Sequence, residues 1–349
     1  MSVITNHERP GVYSSYEASS ITSAKAGGKA VAVVAAMEDA DGTECYTWYS
    51  YAQAAADCGQ GEKVTELARL ALKNGAGLVY GIPAGTDYED AFVTLEGLED
   101  VAVVCCDSTE LTVQQALRDS VKASAQARRE RIAVVCGAKG ETVTQLTPRA
   151  TGLNDERVVL VAPGCLDVDG DPVGGDLCAA AVAGLIAGQS DPAVPLGGAV
   201  LSGLTGLDHS YSDNEIDQLV QGGVTALESL AGQISVVRGV TTRTTTGGAS
   251  DTTWRELTTI LVVDEVIPGI RQALRAKFPR AKNTAQTRGA ILSQVIVELE
   301  DRVAAEIIDS YEDVTVSALD SDPTVCLVEF AFTVAHGLNQ IWLSAHITV

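Results

Sequence analysis

A chain of 349 residues is longer than a single hydrophobic core usually grows, which predicts two or three packed units. Hydrophobic residues make up 46% of it, with no apolar run long enough for a membrane-spanning helix, so a soluble protein with no direct membrane insertion is expected. The formal net charge of -22 sets the whole-molecule field against nucleic acid and anionic lipid and excludes general affinity for either.

Residues 1–28 are rich in Ser, Thr, Gly and Ala, show no period that would bury one face, and turn at Pro10-Gly11; they are predicted to form an arm. Met1–Arg9 lacks the basic start and apolar stretch of a secretory signal, so folding in the cytoplasm is expected. The run KAVAVVAA, Lys29–Ala36, is apolar on both faces, as an interior strand is. Ser50 is placed to cap a short helix ending near Gly59. A second helix over Glu62–Lys73 collects Val64, Leu67, Ala68, Ala71 and Leu72 on one face, and the next strand is Leu78–Ile82.

From about Tyr88 to Val240 the pattern is that of an α/β layer. Strands are predicted at Val101–Cys106, Arg131–Cys136, Val158–Val161 and Ile234–Val240. Helices are predicted over Glu110–Arg128, Asp176–Gly188 and Ser212–Glu228. A Thr/Gly-rich loop, Thr241–Ser250, then opens a last unit. There a helix capped by Asp251 or Thr252 is expected to run to about Val266 and break at Pro268-Gly269, with another over about Thr284–Ile308. Two alternating strands end the chain, Val325–Val334 and Asn339–Val349. Alternation up to the last residue calls for a cover, either something from outside or a hairpin within the chain's own last unit.

Little chemistry stands out. The loop VVCGAKG, Val134–Gly140, follows a strand but matches neither phosphate-loop pattern. Asp167, Asp169 and Asp171 alternate as in a calcium loop, yet Pro172 and Cys178 stand where an EF-hand needs Gly and Glu, so a solvated acidic turn is the stronger expectation. LDHSYSD, Leu207–Asp213, brings Asp, His and Ser together only locally, whereas triads are assembled from separate parts of a fold. Cys45, Cys58, Cys105, Cys106, Cys136, Cys165, Cys178 and Cys326 lie mostly in apolar runs and without a CxxC pair, which predicts buried free thiols and no zinc site. No cofactor is expected.

One segment departs from the acidic background. Between Val266 and Val297 there is no Asp or Glu, while Arg271, Arg275, Lys277, Arg280, Lys282 and Arg288 all fall there. Such a patch in an acidic protein is a candidate docking surface for something negative.

Several segments, in order, resemble the tail sheath family of contractile phages and of related phage-tail-like particles, bacteriocin-like ones included. ERPGVY (Glu8–Tyr13) is similar to the opening of sheath subunits, and TWYSYAQAAADCG followed by LARLALKNGAGLVYGI is similar to an early helix-strand stretch, with Asn74-Gly75-Ala76-Gly77 departing slightly from the family's stop. The Ala-Gly helix and Pro loop from AAAVAGLIAG onward, VVRGVTTRT, and the unit beginning TTWRELTTILVVDEVIPGIRQAL follow in the family's order.

The resemblance implies an α/β fold, α+β overall: a mixed-sheet body over 29–240 (29–87, then 88–240), a C-terminal α+β domain over 241–337, and linking arms over 1–28 and 338–349. It further implies a non-enzymatic structural subunit of a virion tail or tail-like particle, assembled in the bacterial cytoplasm as a helical homo-polymer of stacked rings. Its partners would be itself, an inner tail tube protein, and baseplate and tail terminator proteins. The arms would exchange strands between copies through Pro10, Gly11, Val12 and Tyr13 at one end and Ile341, Trp342, Leu343, Ala345, Ile347 and Val349 at the other. The basic segment is the candidate tube contact. The competing readings are an α/β hydrolase or nucleotide-binding enzyme, and a non-contractile capsid or tube component.

Overall fold

A computed structural model describes residues 22–167 and 169–346. The first strand, β1 (Ala30–Ala36), is buried at all but its last residue, as an apolar run covered on both faces must be. A short β2 (Tyr46–Trp48) leads to α1 (Tyr51–Cys58), where the Ser50 hydroxyl accepts the Gln53 N–H at 3.4 Å. There follow α2 (Lys63–Lys73), β3 (Leu78–Ala84), α3 (Glu89–Glu96), β4 (Val101–Cys106), α4 (Leu111–Gln126), β5 (Ile132–Cys136), α5 (Val143–Leu153) and β6 (Val158–Ala162). Two short strands, β7 (Cys165–Leu166) and β8 (Pro172–Gly174), precede α6 (Asp176–Gly188). The body closes with β9 (Val200–Leu201), β10 (Gly206–Leu207), α7 (Asp213–Gln221), β11 (Val224–Leu230) and β12 (Gln233–Val236).

Among the described residues these strands form a nine-stranded sheet in the order β2-β3-β1-β4-β5-β6-β11-β12-β9, parallel from β3 to β11 and antiparallel at both ends. α2 and α6 cover one face around Leu67, Leu70, Ala179 and Val182, and α3, α4, α5 and α7 cover the other around Leu95, Leu117, Leu146 and Leu219. This is the expected mixed-sheet α/β body.

After the small hairpin β13 (Thr245–Thr246) and β14 (Ala249–Ser250) comes α8 (Leu257–Lys277), which serves two cores at once. Leu257 and Ile260 belong to the body core, whereas Val262, Val266 and Ile270 join Val295 and Leu299 of α9 (Ala285–Ala304) in a separate core that also takes in Ala193 of the body. The long hairpin β15 (Ile308–Leu319) and β16 (Asp322–Val334) lays Tyr311, Val314, Val328, Phe330 and Phe332 on that second core.

Five expectations need correction. The helix expected from a cap at Asp251 or Thr252 begins at Leu257, because the Asp251 carboxylate instead closes the preceding turn by accepting the Thr253 and Trp254 N–H groups at 3.0 and 3.1 Å. The helix begun at Ser212 ends at Gln221, because Gly223 takes φ +80° and turns the chain into β11, so Val224–Glu228 is strand. The strand expected over Ile234–Val240 ends at Val236. Pro268 and Gly269 do not break α8. Pro268 removes one backbone donor, but Val266 and Ile270 stay buried on either side, and Gly269 leaves room for the Arg302 guanidinium of α9 to lie against the helix. Finally, β16 pairs with β15, and the described part of the last expected strand, 339–346, forms no strand.

Candidate assembly interface

The second core holds the chain as far as Gly337, which packs against Pro195, and Ala335 donates its N–H to the Ile307 carbonyl at 3.3 Å. Beyond it the apolar side chains find no cover: Leu338 is 74% exposed, Ile341 79%, Trp342 90% and Leu343 93%, and Ala345 is exposed too. Among the described residues the burial expected of this segment is therefore missing. The Trp342 indole makes a local hydrogen bond among the described residues, Nε1 donating to Gln340 Oε1 at 3.2 Å. Ile347 and Val349, like Pro10, Gly11, Val12 and Tyr13, lie outside the described residues.

Beside this tail, β15 and β16 pair only with each other among the described residues, so 12- and 13-residue strands each keep an outer row of backbone donors and acceptors open. Long open edges of this kind are templates for a further strand. Val325 and Leu327 on the outer face are also exposed.

The six basic residues do not form one uniform patch. Arg271, on α8, is bound to Glu130 of the body through Nη2 at 2.7 Å and Nη1 at 3.3 Å. Burial pushes the Glu130 carboxyl up, but the Arg271 hydrogen bond and charge bring it below its ordinary value. Arg275 is exposed one turn further on. Lys277 donates to Gln294 at 2.5 Å and Arg288 to Asn283 Oδ1 at 2.9 Å; with exposed Arg280 and Lys282 they gather where α8 ends and α9 begins. Thr284 caps α9 there by accepting the Thr287 N–H at 3.2 Å. Asn283 ties this loop to the hairpin through the Pro323 and Val325 carbonyls at 2.9 and 3.1 Å.

Between the body and α8 lies a second ion pair. Arg157, at the edge of β6, grips Asp264 with both terminal nitrogens at 2.7 and 2.8 Å, both side chains nearly buried. Burial pushes the Asp264 carboxyl above its ordinary value, against the pull of the two-point contact with the Arg157 guanidinium.

The other candidates take structural roles. Asp167 accepts the N–H groups of Asp169 and Asp171 at 2.9 and 2.8 Å and so closes their turn, and among the described residues no three His, Cys, Asp or Glu side chains are grouped to hold a metal. His209 packs edge-on against Tyr211, with ring centroids 4.8 Å apart. The loop after β5 is tied by Glu141, which pairs with Arg149 at 2.5 Å. Cys105, Cys106, Cys136, Cys165 and Cys178 are buried free thiols, Cys58 and Cys326 half-buried and Cys45 exposed.

Sequence reasoning missed β15 and the partners of Arg271. Acidic residues mask the strand, and its register shifts space the inward residues Ile308, Tyr311 and Val314 by three. The carboxylate at Glu130 is remote in sequence, and nothing local points to it.

Comparison with known proteins places this architecture. Residues 81–242 match the phage tail sheath protein central domain and residues 249–348 the phage tail sheath C-terminal domain. The tail sheath protein of Bacillus phage SP01 is 29% identical over 261 residues, 71% of this chain and 43% of that protein, so the chain spans less than half the length of this curated relative. In fold it is similar to the sheath tail protein of Desulfitobacterium hafniense, with a TM-score of 0.68, 13% identity, and 93% of this chain and 100% of that one covered. It is likewise similar to the helical sheath of the anti-feeding prophage in its contracted state, with a TM-score of 0.72, 15% identity, and 98% and 99% covered. With both sheath domains matched in order and the whole described fold shared with sheath subunits, the chain belongs to the phage tail sheath protein family.

Proposed function

We propose that this chain is the subunit of a contractile tail sheath. It polymerises as stacked rings around an inner tube, is held in an extended, metastable state, and contracts to drive the tube through a target envelope. The observation that carries this reading is the pairing of an uncovered apolar tail, Leu338–Leu343, with a hairpin whose two edges are open, in a chain of the sheath family. The tail of one copy adds a strand to the hairpin of the next, satisfying its open backbone groups and covering Ile341 and Leu343. The N-terminal arm, with Pro10, Gly11, Val12 and Tyr13, is its counterpart. The bodies then rotate while the strand links persist, and new contacts between bodies supply the free energy of contraction.

The tube faces the loop between α8 and α9. Lys277, Arg280, Lys282 and Arg288 are placed there to meet acidic side chains, while Arg271 and Arg275 sit nearer the body. Each exposed pair contributes about 0–1 kcal/mol, but rings of them along a tail add up to a salt-sensitive barrier. The particle is a virion tail or a phage-tail-like device assembled in the bacterial cytoplasm, with baseplate and terminator proteins at its ends, and the chain itself performs no catalysis.

Deleting residues 338–349 tests the linking role. The truncated chain is expected to melt as cooperatively as the parent, since the described part of the tail, 338–346, joins none of the cores, yet to form no long tubes in sedimentation or electron microscopy. Normal polymerisation of the truncated chain would contradict the proposal.

A further inference from the structure

At the end of α4 the chain makes a Schellman turn: the Arg128 N–H reaches the Ala125 carbonyl and the Arg129 N–H the Ser124 carbonyl, both at 2.9 Å. The position after the cap is left-handed, and glycine is the residue that enters it freely. Here it is Arg128, at φ +66°. A strained position occupied by a long cation points to a use for its side chain.

That side chain lines a cleft of ≈ 420 Å³ between body and C-terminal helix, together with Pro268, Arg271, Gln272, Arg275 and Ala276. Three arginines from two structural units line it and no Asp or Glu does; of the three, Arg271 is paired with Glu130 outside the lining. Arg128 and Arg275 are exposed and have no carboxylate partner among the described residues. The carboxylates lie in the adjoining cleft, which Arg128 also lines: Asp264 is held by Arg157, Glu130 by Arg271, Asp100 accepts the Tyr80 hydroxyl at 3.0 Å, and Glu99 is exposed. The cleft is thus a planar-donor site short of acceptors, the arrangement that recognises carboxylates.

We propose that Arg128, Arg271 and Arg275 form a carboxylate-binding cleft that receives acidic side chains of a second copy of this chain. The occupant follows from charge. With 46 acidic against 24 basic residues, neighbouring copies repel except where a local basic surface meets the acidic one. Because the cleft is shared by the body and α8, an acidic group bound in it touches both units of its neighbour. This inference rests on the polymer reading above.

The test is the self-association of the full chain at low and high salt, by sedimentation, for the parent and for R128G, R275A and K139A. R128G relieves the left-handed strain, so it is expected to melt at or above the parent temperature while raising the concentration for half-assembly about ten-fold. R275A is expected to do the same to assembly without lowering the melting temperature. K139A, an exposed cation outside the cleft, should assemble like the parent, and high salt should shrink the difference between parent and R128G. If the parent polymerises and R128G and R275A polymerise equally well, the cleft is overturned and the polymer reading stands. Equal weakening by K139A also overturns it, as general charge repulsion. A parent that never associates overturns both.

Discussion

The most demanding consequence of the fold is that the Arg157–Asp264 pair ties the C-terminal unit to the body. Replacing Asp264 with Asn keeps the volume but leaves the Arg157 guanidinium, now held by two contacts at 2.7 and 2.8 Å, without its counter-charge. Breaking a fully buried pair in this way costs 3–5 kcal/mol; because the two side chains remain 11% and 14% exposed, water offsets part of that, and about 2–3 kcal/mol is expected. The paired replacement Arg157→Met with Asp264→Leu strands no charge and should lie within about 1 kcal/mol of the parent. Urea unfolding followed by far-ultraviolet dichroism and by tryptophan fluorescence measures both, since Trp48 is in the body and Trp254 stands just before α8. A double-mutant cycle isolates the coupling. If Asp264→Asn and Arg157→Met each stay within about 0.5 kcal/mol of the parent, the joint is not held by this pair and the reasoning fails.

Two further outcomes are expected. With a thiol reagent the native protein should label only Cys45, Cys58 and Cys326, whereas the unfolded protein should show all eight thiols; at Cys58, pushed up to about 11 by burial and by Asp57, Glu44 and Glu62, labelling should keep accelerating well above neutral pH. Fewer than eight thiols after non-reducing unfolding would reveal disulfides. The second concerns Glu130, whose folded value lies below its usual 4.5, so its contribution to stability is present above that value and is lost as pH falls through the lowered one. Glu130→Gln should therefore flatten the acid limb of the stability profile measured by urea titration, and an unchanged limb would show that Arg271 does not hold it.

Much of the body was legible because its residues obey one rule each. β1, β4, β5 and β6 are continuous apolar runs, and Ser50 is a cap next to a short helix. What escaped reading depends on tertiary context. α5 holds Pro148 and a thin apolar face of Val143, Leu146, Ala150 and Leu153, and it forms because that face meets α4 and α7. α8 passes through Pro268 because cores on both sides of the proline bury it. The terminal alternation from Ile341 reads as a strand in need of cover, whereas its described part, to 346, is exposed and forms no strand. The basic segment was visible as charge, whereas its division between Glu130, the Arg128 cleft and the α8–α9 loop follows only from the fold.

The central claim, that this chain is a contractile sheath subunit whose tail links copies, is tested most directly by electron microscopy of the full-length chain produced with its inner tube. The account predicts tubular particles in a long, narrow and a short, wide form, with density for Ile341–Leu343 of each copy added as a strand beside β15 or β16 of a neighbour. Discrete monomers, closed shells, or tubes in which that segment folds back on its own hairpin would contradict it.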